Sequence, residues 1–176
     1  MIKGLKFSVS LVALSVLALS SPSLSAAVKI GTVDLQKALQ NVKKGKSAKA
    51  ELEKEFQEKK KKIDAEQESI RKMSEEFQKK SLVLSEKARA EKGAQIQQKI
   101  GAWQEMVQKA QGEMQAREGD MTRPILEGLK TIGSDIAKKK SLELLFEANS
   151  SGLLYAADKT DVTDDVIKAY DEKNPK

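Results

Sequence analysis

The chain contains no cysteine and no histidine, so disulfides, thiol nucleophiles and the commonest general base and transition-metal ligand are all excluded. Proline is nearly absent, at 3 residues in 176, and aromatic residues make up 4% of the chain. With 33% charged residues, the composition fits long solvated helices better than a compact globular core. There is no glycine-rich phosphate loop and no serine in a nucleophile-elbow setting, so no catalytic constellation stands out and no catalytic residue is assigned. No apolar run reaches the ~20 residues that a membrane-spanning helix needs.

The longest such run, Phe7 to Leu19, follows Lys3 and Lys6 and precedes "SSPSLSAA". This is the order of a secretory signal peptide, 1–27, with Ser25 and Ala27 in a small-x-small cleavage pattern. Cleavage is expected before Val28, with cleavage after Ser25 as the other option. An uncleaved membrane anchor would need a longer run. Removing the signal leaves 149 residues, with 30 basic against 26 acidic, a mild net charge of +4. The exported product should be soluble, without metal or cofactor, and held together by packing and oligomerisation.

From Val42 to Asp120 the sequence is dominated by Lys, Glu, Gln and Ala, with no proline. Pairs such as Glu55 with Lys59, Glu58 with Lys62, Glu68 with Lys72, Glu75 with Lys79 and Glu76 with Lys80 have the favourable i, i+4 polarity of a charge-laced helix. Beneath the charges runs a thin apolar seam. Phe56, Ile63, Ile70 and Phe77 recur every seven residues, with Leu52 and Met73 on the partner track that Lys59 and Glu66 interrupt. Ile96, Ile100, Trp103, Val107, Ala110, Met114, Arg117 and Met121 then alternate steps of four and three. Ser81 and Ser85 break the pattern, and Ser85 suits a helix cap. The expected architecture is an antiparallel helical hairpin over 42–121, tip near 81–85, each arm about 45 residues and on the order of 65 Å long. Gly93, Gly101, Gly112 and Gly119 loosen the second arm or are simply tolerated on its surface.

Around the hairpin lie strand-like pieces. "VKIGTVD" offers Val28, Ile30 and Val33, and "SLELLFEA" sets Leu142, Leu144 and Phe146 opposite Glu143 and Glu147. "NSSG" reads as a turn, "LLYAA" as a third strand, and "RPILEGLKTIGSDIAKKK" as a separate amphipathic helix with Pro124 at its start or kinking its first turn. In "ADKTDVTDDVIKAY", the four aspartates lack the ligand spacing and mid-loop glycine of a calcium loop. Thr163 is placed to cap a final helix, with Asp164 and Asp165 in its first turn. The fold class is therefore α with a small α/β body, 28–41 and 122–176, from which the hairpin projects as a coiled-coil tentacle.

"VKIGTVDLQKAL" after a signal peptide, the Lys/Glu/Gln hairpin, and "FEAN" followed by "Y" and "DVTDDVI" resemble the Skp/OmpH family of periplasmic chaperones. The resemblance implies a homotrimer whose small sheets join in one body. Three tentacles would enclose unfolded outer-membrane proteins in the periplasm, without ATP. It also implies contact with lipopolysaccharide or an anionic membrane surface. Phe56, Ile63, Phe77, Trp103 and Met114 are the candidate client contacts; the alternative, which their heptad spacing favours, is that they zip the two arms together. "KKKK" at 59–62 reads as a basic patch or as a solvated face balanced by nearby acids. Nucleic-acid binding is disfavoured by the interspersed acids and the lack of clustered aromatics. The alternative function is an exported structural coiled-coil spacer with no client.

Overall fold

A computed structural model of the chain describes residues 28–149 and 152–175. The predicted signal segment and Ser150 and Ser151 of the predicted turn lie outside the described residues. The elements are β1 (Ile30–Val33), α1 (Leu35–Asn41), α2 (Lys43–Lys80), α3 (Glu86–Lys139), β2 (Leu144–Glu147), β3 (Lys159–Asp161) and α4 (Thr163–Lys173). By helical rise, α2 is about 57 Å long and α3 about 81 Å.

β1 is the middle strand. β2 pairs with it in parallel on one side, Ile30 opposite Leu144, and β3 in parallel on the other, Ile30 opposite Lys159. Parallel pairing requires long crossovers, and here the whole hairpin forms the connection from β1 to β2. The sheet packs closely because Gly31 has no side chain: a Cβ there would lie 2.5 Å from Leu142 Cδ1 and 3.1 Å from Leu145 Cδ1.

Asp34 ends the strand and starts α1, its Oδ1 accepting a 2.7 Å hydrogen bond from the Lys37 amide. At Val42 the backbone turns extended, with ψ 149°, and α2 begins in a new direction. Gly45 permits that bend, since a Cβ there would fall 1.7 Å from the Leu39 carbonyl oxygen. The body's core gathers Val33, Ala38 and Val42 from the first segment, Ile125, Leu129, Ile132 and Ile136 from α3, and Val162, Val166 and Tyr170 from the last. Leu129, Val42, Val162 and Val166 are fully enclosed.

Four expectations need correction. The predicted separate helix at Pro124 does not exist: α3 runs unbroken from Glu86 to Lys139 with Pro124 inside it. Apolar residues on both sides of the proline pack inward, Met121 before it and Ile125 after it, and this continuity overrides the lost amide donor. The third strand is not "LLYAA" but Lys159–Asp161. Leu154 and Tyr155 are exposed at 99% and 81%, and the segment's alternation has no sheet neighbour to serve.

In β2 the predicted inward face is only partly right. Leu142 packs on the core from just before the strand, Leu145 takes the inward place, Phe146 is half-buried, and Leu144 is exposed. The early end of α3 shifts the phase: Ser141 adopts φ +54°, the Ser141 amide donates to the Lys138 carbonyl, and that of Leu142 donates to Ala137. On β1, Val33 is buried and Ile30 half-buried, but Val28 precedes the strand and is exposed.

Thr163 does not act as the predicted cap. It is the first residue of α4, and its hydroxyl is 1% exposed as a residue and turned toward the sheet. Its Oγ1 accepts from the Asp34 amide at 2.9 Å and donates to Asp161 Oδ1 at 2.5 Å. The Thr163 amide also donates to Asp161 Oδ1, at 2.9 Å. The threonine thus joins the end of β1 to the start of α4.

Candidate functional site

Lys, Glu and Gln make α2 and the outer half of α3 intrinsically helical, and the seam gives them a common face to bury. α2 ends at Lys80, the chain turns through Ser81–Leu84, and Ser85 caps α3 with Oγ accepting from the Ala88 amide at 3.3 Å. The helix passes without interruption through Gly93, Gly101, Gly112 and Gly119.

The seam is only half closed. Between Leu52 and Gly119, Ile96 is the one buried residue among the described residues. Phe56 is 48% exposed, while Ile63, Phe77, Trp103 and Met114 are half-buried. Two adjoining grooves open along one side of the hairpin. The lower one, about 570 Å³, is walled by Leu39, Ala48, Leu52, Phe56 and Met114; the upper, about 400 Å³, by Phe56, Ile63, Val107, Ala110 and Met114. Phe56 and Met114 therefore stand where the two grooves meet.

The other two candidates sit elsewhere. Trp103 bridges the arms, its indole Nε1–H donating to the Ile63 carbonyl oxygen at 3.3 Å. Phe77 belongs to a small hollow of about 120 Å³ near the tip, with Met73, Leu84 and Ile96. The structure thus brings Phe56, Ile63 and Met114 together and leaves Trp103 and Phe77 as links between arms.

The charged interruptions of the seam prove to be connections across it. Lys59 meets Glu113 at 2.5 Å, Glu66 meets Lys99 at 2.5 Å, and Arg117 reaches Glu51 at 2.6 Å and Glu55 at 3.2 Å. These cross-hairpin partners were missed because Glu55 and Lys59 also satisfy an i, i+4 pattern. The signal was nonetheless present, since opposite charges lie at nearly equal sequence distances on either side of the tip. A hydrogen bond and positive charge from Lys59 hold the Glu113 carboxyl below its usual range, and Glu55 likewise raises Arg117.

Of the predicted same-helix pairs, Glu68 with Lys72 and Glu76 with Lys80 lie at 3.7 and 3.9 Å. Glu68 is also gripped by Arg71, whose hydrogen bond and charge bring its carboxyl down to about 2. The run at 59–62 is partly neutralised, because Lys59 pairs with Glu113 and Lys60 with Asp64.

The C-terminal aspartates disperse instead of converging. Asp161 is committed to Thr163, and its pKa is lowered chiefly by that side chain's hydrogen bond. Asp164 pairs with Lys37 at 3.2 Å and Asp165 with Lys140 at 2.8 Å. Among the described residues no group of three or more acids is arranged to hold a metal ion. Nor is any described helix long and apolar enough to cross a membrane.

A projecting helical hairpin on a small parallel sheet is a distinctive arrangement, and the model of the OmpH-like outer membrane protein family matches the chain over residues 29–170. The chain belongs to that family. The OmpH-like fold also appears in a crystal structure from Caulobacter crescentus described as an outer membrane chaperone (OmpH-like). The two share 22% identity at a TM-score of 0.70, the match covering 84% of this chain and 86% of that one. At that identity the likeness speaks for the fold. No curated protein sequence matches the chain.

Proposed function

We propose that this OmpH-like protein is an ATP-independent holdase of the periplasm, where it keeps unfolded outer-membrane proteins from aggregating. The observation that carries this reading is the half-open seam: an extended hairpin presents a continuous apolar strip, centred on Phe56 and Met114, that its own fold does not cover. An arm built only as a spacer gains nothing from leaving this strip open to water. A holdase needs such a strip, because weak apolar contact spread along a charged surface holds a client without trapping it. Phe56, Ile63 and Met114 make those contacts, and the unbranched Met114 adapts to different clients. Trp103 and Phe77 keep the arms together.

The body is the site of self-association into a homotrimer, which sets three hairpins around a shared cavity. Supporting this are the small three-stranded sheet and the exposed Val28, Leu144, Leu154 and Tyr155 beside it. The signal segment delivers the chain to the periplasm as a soluble product, and nucleic acid is not a partner. Lipopolysaccharide contact, which the resemblance implies, has less room at 59–62 than the sequence suggests, given the acids on Lys59 and Lys60.

The test is light scattering from an unfolded outer-membrane β-barrel protein diluted out of denaturant, with stoichiometric protein and no nucleotide. The expected result is a suppressed signal, and its return in a Phe56→Ser/Met114→Ser variant. A trimer that leaves the client aggregating at its unassisted rate would instead favour the exported spacer.

A further inference from the structure

The chain has methionine but no cysteine, so all of its sulfur is in thioethers. The four described methionines, Met73, Met106, Met114 and Met121, all line hollows on or beside the hairpin. Met73 lies in the small hollow near the tip. Met106, 40% exposed, lines a hollow of about 260 Å³ with Ile63, Ala110, Lys59, Lys62 and Lys109. Met121 lines one of about 610 Å³ at the base of the hairpin, with Ile125 and Tyr170, and packs against the body's core. Met114 alone among the four lines two of these spaces, the adjoining grooves that also share Phe56.

A thioether sulfur carries a lone pair open to two-electron oxidants, and a chain without thiols offers no faster-reacting sulfur to spare it. With hydrogen peroxide, the lone pair attacks one peroxide oxygen and the O–O bond breaks. That oxygen stays on sulfur as a sulfoxide and the other leaves as water, so sulfur is oxidised by two electrons and peroxide is reduced by two. A flexible apolar side chain becomes a polar one. The consequence depends on the place. At Met106 the sulfoxide falls in an open hollow already lined by three lysines, where one more polar group changes little. At Met114 it interrupts the apolar strip at the point where both grooves meet.

We propose that Met114 is a reversible oxidation site that turns client holding down. Peroxide converts it to the sulfoxide, and a thiol-dependent reductase restores it, two thiols releasing the oxygen as water and ending as a disulfide. This regulation rests on the holdase reading.

The test is peroxide treatment, which spares the Trp103 indole, followed by peptide mass spectrometry and the light-scattering assay. Trypsin cuts after Lys109 and Arg117 and so places Met106, Met114 and Met121 in separate peptides. Oxidised protein should hold an unfolded β-barrel client roughly fivefold less well than untreated protein, in proportion to the sulfoxide at Met114. Methionine sulfoxide reductase with a dithiol should reverse the loss. Met106→Leu should lose as much on oxidation as the wild type. Met114→Leu, compared with its own untreated sample, should lose nothing, and Met114→Gln should stand near the oxidised level without treatment. The circular-dichroism spectrum and the thermal midpoint should not move. Undiminished holding with Met114 fully converted would overturn the proposal. So would an equal loss in Met114→Leu, or a loss that tracks a fall in the thermal midpoint, because the damage would then lie elsewhere, as at Met121. Untreated protein that fails to hold the client would bring down the holdase reading and this regulation with it, whereas holding that survives oxidation removes the regulation alone.

Discussion

The body and the hairpin are made from the same chain but stabilised by opposite means. In the body, Leu129, Val42, Val162 and Val166 are fully enclosed, and the polar group among them, the Thr163 hydroxyl, is satisfied on both its donor and acceptor sides. Along the hairpin, by contrast, half-buried side chains line a single seam, and the arms are pinned by ion pairs among exposed and half-exposed groups. Apolar burial is worth about 25 cal/mol per Å², whereas exposed ion pairs contribute about 0–1 kcal/mol each. The body is thus the stable anchor, and the hairpin is an accessory that can leave its apolar strip open because its existence does not depend on closing it.

Breaking the body should have the largest effect. Leu129→Ala removes a wholly buried side chain from the middle of the core and should cost about 2–5 kcal/mol, read as a fall in the thermal or denaturant midpoint. Unchanged unfolding would mean that the body does not anchor the fold. Thr163→Val keeps the shape but deprives the Asp34 amide of its acceptor and Asp161 of one of its two donors, the Thr163 amide remaining. A loss of about 1–3 kcal/mol is expected in the same measurement.

The hairpin should respond more weakly and in a different way. Glu66→Gln removes the partner of Lys99 and should cost less than about 1 kcal/mol, with the difference from wild type shrinking as salt is added. A salt-independent difference would show that the arms are held by something other than these pairs.

The smallest effect is in the acid limb. The carboxyl of Asp161 titrates below its ordinary 3.8 in the folded chain, so its contribution is present above that value and fades as pH falls through the folded one. Asp161→Asn should flatten the decline of stability below about pH 4, as followed by circular dichroism. A steeper decline in the variant would reverse the assignment.

The contrast also explains what could be read in advance. The hairpin is local: heptad spacing, a serine cap and the lack of proline act within a few residues, so both arms and the tip at 81–85 were visible in the sequence. Ser85 needed only its own neighbours to be recognised. The body depends on distant partners. β3 is only three residues long, "KTD" has little strand character, and it becomes a strand because the edge of β1 is there to pair with. The predicted third strand was the more apolar "LLYAA", whose residues are left outside the sheet. Thr163 was recognised as special, but its function required Asp34, 129 positions away. Pro124 misled because a proline usually interrupts a helix, and only the packing of Met121 and Ile125 keeps α3 whole. The candidate site was legible as a seam, yet the side on which it opens depends on how two helices lie together.

The continuity of α3 has a mechanical meaning. One end of this helix forms half of the hairpin and the other carries Leu129, Ile132 and Ile136 in the core, so no joint separates arm from base. A pull on the arm acts as torque on the body's interior, and Pro124, where one rung of the hydrogen-bond ladder is missing, is the place along the beam where it bends with least resistance.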